Sequence, residues 1–141
     1  LAATLGPQMD LQMATRKALL EFTREIQESI EIVRPRQGAT LSYLIARDKL
    51  NRILVSYQVK NESASARAGR PLHDVFVYRD DGSGTPPRSR QRLLFGYIER
   101  LTFTALGSGV AQIHMDIHEK GRTYAVLTSV RSRNIAMEGD L

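Results

Sequence analysis

The stretch ATRKALLEFTREIQESIEIVRP, residues 14–35, decides how the chain is read. Leu19, Phe22, Ile26, Ile30 and Val33 recur at steps of three and four, so on a helix they share one stripe. Leu11, Ala14 or Thr15, and Ala18 continue that stripe toward the start of the chain. Arg16, Lys17, Glu21, Arg24, Glu25, Glu28 and Glu31 fall mostly off it. Lys17 with Glu21, and Arg24 with Glu28, stand four residues apart and add a few tenths of a kcal/mol per pair. Pro35 stops the pattern and presses Arg34 out of the helical region. The spacing predicts a helix from Gln8 to Val33, with Leu19, Phe22, Ile26, Ile30 and Val33 as its core side, each side chain worth roughly 1.5–3 kcal/mol on burial. At 1.5 Å per residue it would run about 39 Å, against a radius of gyration of roughly 14 Å for a domain of this length. Part of it should extend past the core.

Upstream, the pattern is poorer in large aliphatics and carries Met9, Leu11 and Met13. Methionine adapts to irregular neighbours. These three fit either gap-filling in a core or a helix–helix contact with another subunit, and they are the candidate contact residues. The chain opens on the apolar Leu1 to Leu5, then Gly6-Pro7. A chain that starts inside a helix reads as one whose upstream part has been removed.

After Ala39 the period falls to two. Leu41, Tyr43 and Ile45 alternate, Asp48-Lys49 suggests a turn, and Ile53, Val55, Tyr57 and Val59 alternate after it. KNESASARAGRP (60–71) reads as a loop, and so does DDGSGTPPRSRQ (80–91). HDVFVYR (73–79) and RLLFGYIERLTFTAL (92–106) read as extended. VAQIHMDIHEKGRTYAVLTSV (110–130) is the clearest hairpin, with Ala111, Ile113, Met115 and Ile117 on one face and a turn at Glu119-Lys120-Gly121. The expected fold class is therefore α+β: a long N-terminal helix packed on antiparallel β-sheet. Residues 1–35 would be the truncated helix and 36–141 the β part, one domain in all.

With 141 residues and 42% hydrophobic content, the chain can bury a core. No apolar run approaches the length that spans a membrane. The absence of cysteine excludes disulfides, thiolate metal sites and a cysteine nucleophile. The net charge of +5 fits a plainly basic surface or contact with phosphates. The dense clusters are RPR (34–36), RSRQR (88–92) and RSR (131–133), and none has interleaved aromatic residues.

Signals for chemistry are weak. His114, Asp116 and His118 alternate on one strand face, about 6.6–6.8 Å apart, too far for one ion without a neighbouring strand. Asp80-Asp81 beside glycines suggests a calcium loop but lacks its remaining ligand positions. His73 and Asp74 are adjacent and would point to opposite faces of a strand, and neither Ser83 nor Ser108 sits in a nucleophile elbow. No phosphate-binding or dinucleotide fingerprint is present. The sequence gives no positive reason to expect an enzyme, a cofactor, a metal or a small-molecule substrate.

The layout resembles the type IV pilin-like proteins, and within them the minor pseudopilins of type II secretion and the minor pilins of related systems. LAATLGPQMD (1–10) looks like the tail of that family's apolar N-terminal segment, with Pro7 where many members carry a helix-loosening proline. Residues 14–35 are similar to the sheet-packed half of its helix. RTYAVLTSVRSRN (122–134), with Thr128, Ser129, Val130, Arg133 and Asn134, looks like its closing strand. The family's cleavage site, with a Glu shortly after it, is not in the chain: Pro7 follows Gly6, and the first Glu is Glu21. The resemblance places that site upstream of Leu1. It implies a structural minor subunit of a secretion pseudopilus or type IV pilus, acting in filament initiation or at the tip. Its partners would be other pilin-like subunits, met through the helix, exposed strand edges or the loop around Gly82. The missing helix would hold it in the bacterial inner membrane, with the globular part periplasmic or extracytoplasmic. The alternative from another class is a basic nucleic-acid-binding module, DNA uptake included, with nucleic acid as the lesser partner reading. A third is a helix-and-sheet cup for an apolar ligand.

Overall fold

In the computed structural model, which describes residues 2–80 and 89–132, with side chains from 13 to 80 and from 91 to 132, residues 14–35 divide in two. Helix α1 (Ala2–Gln27) ends before the stripe does, and strand β1 (Glu31–Arg34) begins four residues later. The cause is local. Ser29 Oγ donates to Ile26 O at 2.6 Å, and its backbone N–H turns to the same carbonyl at 3.0 Å. Serine competes with the helix ladder in this way. Ile30, Ile32 and Val33, β-branched and disfavoured in helices, then go to the sheet, and Ile30 N already donates to Arg47 O at 2.8 Å.

This corrects the fold class expected from the sequence. Among the residues with described side chains the fold is mainly antiparallel β, 57% strand in eight strands, with 15 residues of α1 and the short α2 as its helices. Of α1, the side chains from Met13 to Gln27 are described. Ile30 and Val33, expected on the helix, lie beyond its end and are only partly buried. The expected division after residue 35 falls behind β1, which belongs to the sheet.

The remaining elements are β2 (Thr40–Leu41), β3 (Leu44–Arg47), β4 (Ile53–Lys60), α2 (Glu62–Ala68), β5 (His73–Asp80), β6 (Ser89–Gly107), β7 (Val110–Glu119) and β8 (Arg122–Arg131). The sheet order is β1-β3-β4-β5-β6-β7-β8, and β2 pairs with β6 off that path. The 19-residue β6 is shared: its first half pairs with β5 and its second with β7. Thr40 and Leu41 of β2 pair with Thr104 and Phe103 of β6. Two residues after β2 the chain enters β3, so the pairing returns on itself through β4, β5 and β6. Gln58 strengthens this closure by donating to Ser42 O at 2.6 Å and to Leu101 O at 2.9 Å.

The core lies inside that curl and continues over β7. Leu44, Ala46, Val75, Val77, Ile98 and Phe103 are fully buried, with Ile113 and Met115 beyond them. Phe22 and Ile26 of α1 close it, also at 0% exposure, and the Phe22 ring meets Phe103 edge-on at 6.1 Å. Leu19 packs at the margin. On β4 it is Leu54 and Ser56 that turn inward. Val55 and Tyr57 lie on the opposite face, where Tyr57 stacks on Phe76 at 5.7 Å. The stretch read as a loop at 60–71 contains α2, started by Asn61, whose side chain accepts from Ala64 N, and ended by Gly69 at φ 68°.

Candidate functional site

A cleft of ≈ 390 Å³ lies between α2 and the β7–β8 turn. Three walls form it. The first is α2, tied back to the start of β5: Leu72 N donates to Ser65 Oγ at 2.8 Å, Asn61 N to Leu72 O at 2.8 Å, and Asn61 Nδ2 to Asp74 at 3.2 Å. Ala64, Ala68 and Leu72 give this wall its apolar lining. The second is the middle of β6, where Tyr97 stands at φ 59° beside register shifts in both flanking ladders. A bulky residue at positive φ is held there by its surroundings at a cost. The third is the turn Lys120-Gly121, with φ 48° and 76°, both left-handed as a two-residue hairpin requires.

Glu99, at the β6 irregularity, joins the walls. It accepts from Arg70, which follows α2, and from Thr123 of β8 at 3.0 Å. His118 Nδ1 stands 3.4 Å away and has no hydrogen-bond partner among the described residues. The Arg70 guanidinium, outweighing the effect of burial, holds the Glu99 carboxyl below its usual range, and Thr123 and His118 add to this. Glu119 ends β7 on the core side. It is 7% exposed, and its Oε2 has no hydrogen-bond partner among the described residues. It is the wall common to this cleft and to a second, of ≈ 330 Å³, bounded by Thr15 and Arg16 of α1 and by Tyr124 to Val126 of β8.

No family model matches the chain, and no curated protein or solved structure matches it.

The candidate contact residues divide. Met13 is 61% exposed, whereas the side chains of Met9 and Leu11 lie outside the described residues. Leu20, which the sequence reading did not single out, is 51% exposed. It stands seven residues from Met13, two helical turns along the same side. That side lies opposite Thr15, Phe22 and Ile26, which are buried.

His114 and Asp116 approach to 3.4 Å, while His118 turns to Glu99. Among the described residues no three His, Cys, Asp or Glu side chains converge for a metal. Asp81 and Gly82 lie outside the described residues. Of the arginine clusters, Arg92 is ion-paired with Glu25 and Arg34 donates to Val33 O at 2.8 Å. Arg131 stands opposite Val110 at the β6–β7 turn, and Pro35 lines a groove with that same turn. Two clusters thus end at one end of the sheet. The side chains of Arg88, Arg90 and Arg133 lie outside the described residues. No described helix is long and apolar enough to cross a membrane. The cleft was not legible in the sequence because its walls come from stretches about fifty residues apart; the pair Lys120-Gly121 was its one local signal.

Proposed function

We propose that the chain is a structural subunit of a pilin-like filament, a secretion pseudopilus or type IV pilus, which meets its neighbours through α1. The observation that carries this is the two-sided helix. Its core stripe is satisfied by the sheet, and its opposite side presents Met13 and Leu20 to solvent. Two large apolar side chains on one helical line, flanked by Lys17 and Arg24, suit the groove of another helix. With the fold class corrected, the reading rests on α1 and on the resemblance, not on the sheet. The globular part would sit outside the inner membrane, and association through unlike surfaces would extend a filament instead of closing a ring.

The chain has no cysteine, so an introduced thiol is unique among these 141 residues. Met13→Cys and Leu20→Cys in the complete protein, oxidised in its own cell envelope beside subunits carrying single cysteines on their helices, should cross-link to them. Arg131→Cys is the comparison. Cross-linking from Met13 and Leu20 no stronger than from Arg131 ends the proposal.

The convergence of residues 34–36 and Arg131 at one end of the sheet favours one second reading, a nucleic-acid interface. DNA binding that falls steeply with added salt, and falls less steeply in Arg36→Ala and Arg131→Ala, is its expected signature. Absence of binding at low salt removes it.

A further inference from the structure

Strand β8 ends the sheet, and no described strand pairs with its outer edge. Its ladder with β7 runs from Arg122 to Arg131 without a shift. Ser132, next in that register, donates its N–H to Gly109 O at 2.9 Å. Hydrogen-bonded and non-hydrogen-bonded pairs alternate along an antiparallel ladder, so the even-numbered residues of β8 bond inward to β7. Thr123, Ala125, Leu127, Ser129 and Arg131 therefore turn their N–H and C=O groups outward, and all five residues are exposed. Sheet edges are commonly guarded by proline, lysine, a bulge or shortness. β8 has 10 residues, with no proline, no lysine and no bulge, and Leu127 stands at the middle of its outer row at 64% exposure. The opposite edge, β1, has 4 residues and a register shift.

The outer row of β8 is its own complement. Turned about a two-fold axis through Leu127, it meets a second β8 antiparallel. Leu127 then lies against the partner's Leu127, Ala125 against the partner's Ser129, and Thr123 against the partner's Arg131. No other antiparallel self-register engages all five residues, and this one forms about ten backbone hydrogen bonds. Arg131 faces a threonine and Arg122 faces a serine, so no two cations stand opposite each other. We propose that two copies of this chain join their β8 edges across that axis into one continuous antiparallel sheet. The backbone supplies the attachment, and the exposed Leu127 pair is covered. Each β8 edge is used once, so the contact closes on itself instead of growing. The proposal rests on β8 alone and does not depend on the filament reading.

The test is sedimentation velocity of the chain over a range of concentrations. The expected result is reversible association from 15.8 kDa to twice that mass, with Kd at or below about 1 mM. Leu127→Lys, at an exposed position, sets two like charges on the axis and should weaken the dimer about tenfold or more. The register is read by cysteines: Thr123→Cys mixed with Arg131→Cys should give a disulfide-linked dimer on oxidation, which neither variant gives alone. A weaker Kd, open-ended assembly beyond the dimer, a dimer unchanged in Leu127→Lys, or mixed cross-linking no stronger than in the single variants overturns the proposal. So does slow amide exchange at the odd-numbered residues of β8 in the monomer, which would show the edge covered from within the chain. Should Leu127→Lys fail to fold, the mixed cysteines decide.

Discussion

Phe22→Ala probes how α1 is held. The side chain is fully buried, and its ring meets Phe103 edge-on, with planes at 69°. Removing it forfeits roughly 1.5–3 kcal/mol of transfer free energy and an aromatic pair worth about 0.5–1.5 kcal/mol. The void opens against Phe103 and Ile26, which are themselves fully buried, so little can collapse into it. The expected loss is about 3–5 kcal/mol. Leu20→Ala, on the same helix at 51% exposure, should stay within about 0.5 kcal/mol. Urea unfolding followed by circular dichroism is the assay, since the chain has no tryptophan. The m-value must stay constant for the comparison to hold. A Phe103→Leu background should reduce the cost of Phe22→Ala, because neighbours in contact do not add. A Phe22→Ala cost below about 1 kcal/mol, indistinguishable from Leu20→Ala, would refute the view that these last turns of α1 complete the core.

Other outcomes follow from the cleft and its acids. Glu99 and Asp48 both titrate below the usual carboxyl range: Glu99 through Arg70, Asp48 because donors from Arg52 and Leu50 together outweigh the burial that opposes them. A depressed folded pKa adds stability above the unfolded value, lost as pH falls through the folded one, so stability should drop from about pH 5 downward. Glu99→Gln should flatten that acid limb in urea midpoints taken across the range, and a slope equal to the parent's would count against it. Gly121→Ala meets no neighbour, so its cost is the left-handed backbone alone, about 1–2 kcal/mol by thermal unfolding. Asn61→Ala removes the α2 cap and the link to Asp74. It should cost about 0.5–2 kcal/mol and raise amide exchange in residues 62–68 before the sheet responds.

Sequence pattern revealed most where one periodicity stood unopposed. β7 and β8 alternate without interruption around Lys120-Gly121, and their ladder has no register shift. Residues 28–34 satisfied two patterns together: Ile26, Ile30 and Val33 continue a helix, while Ile30 and Ile32 alternate as a strand. Ser29 ends the helix ladder locally, and the distant Arg47 carbonyl, which no local pattern reports, then accepts from Ile30 N. On β4 the more apolar alternate set, Val55 and Tyr57, faces away from the core, and Ser56 is the residue at 0% exposure. No local signal reports that choice. α2 was hidden by its small polar composition, though Asn61 and Gly69 stand where a cap and a stop belong.

The early end of α1 also bears on what the helix can do. Had residues 28–34 stayed helical, the outer edge of β3 would have lost Ile30 N and the β1 ladder, and an unpaired edge invites association. By leaving the helix, the chain covers that edge of β3 with β1, the four-residue terminal strand of the sheet, and fastens α1 at its last turn. Ser29 Oγ lies 3.0 Å from Ser132 Oγ at the end of β8, and Glu25 pairs with Arg92 of β6. A helix fixed on two sides of its terminal turn points in one direction relative to the sheet. Met13 and Leu20 are therefore presented at a set angle and not on a swinging arm, which lowers the ordering cost of any helix that docks there. Ser132 Oγ also donates to Ser29 O, so cutting both ties takes Ser132→Ala and Arg92→Ala together, which should weaken cross-linking at Met13 without touching the residue itself. Equal cross-linking in the double variant would show that the direction of α1 is set by Phe22 and Ile26 alone.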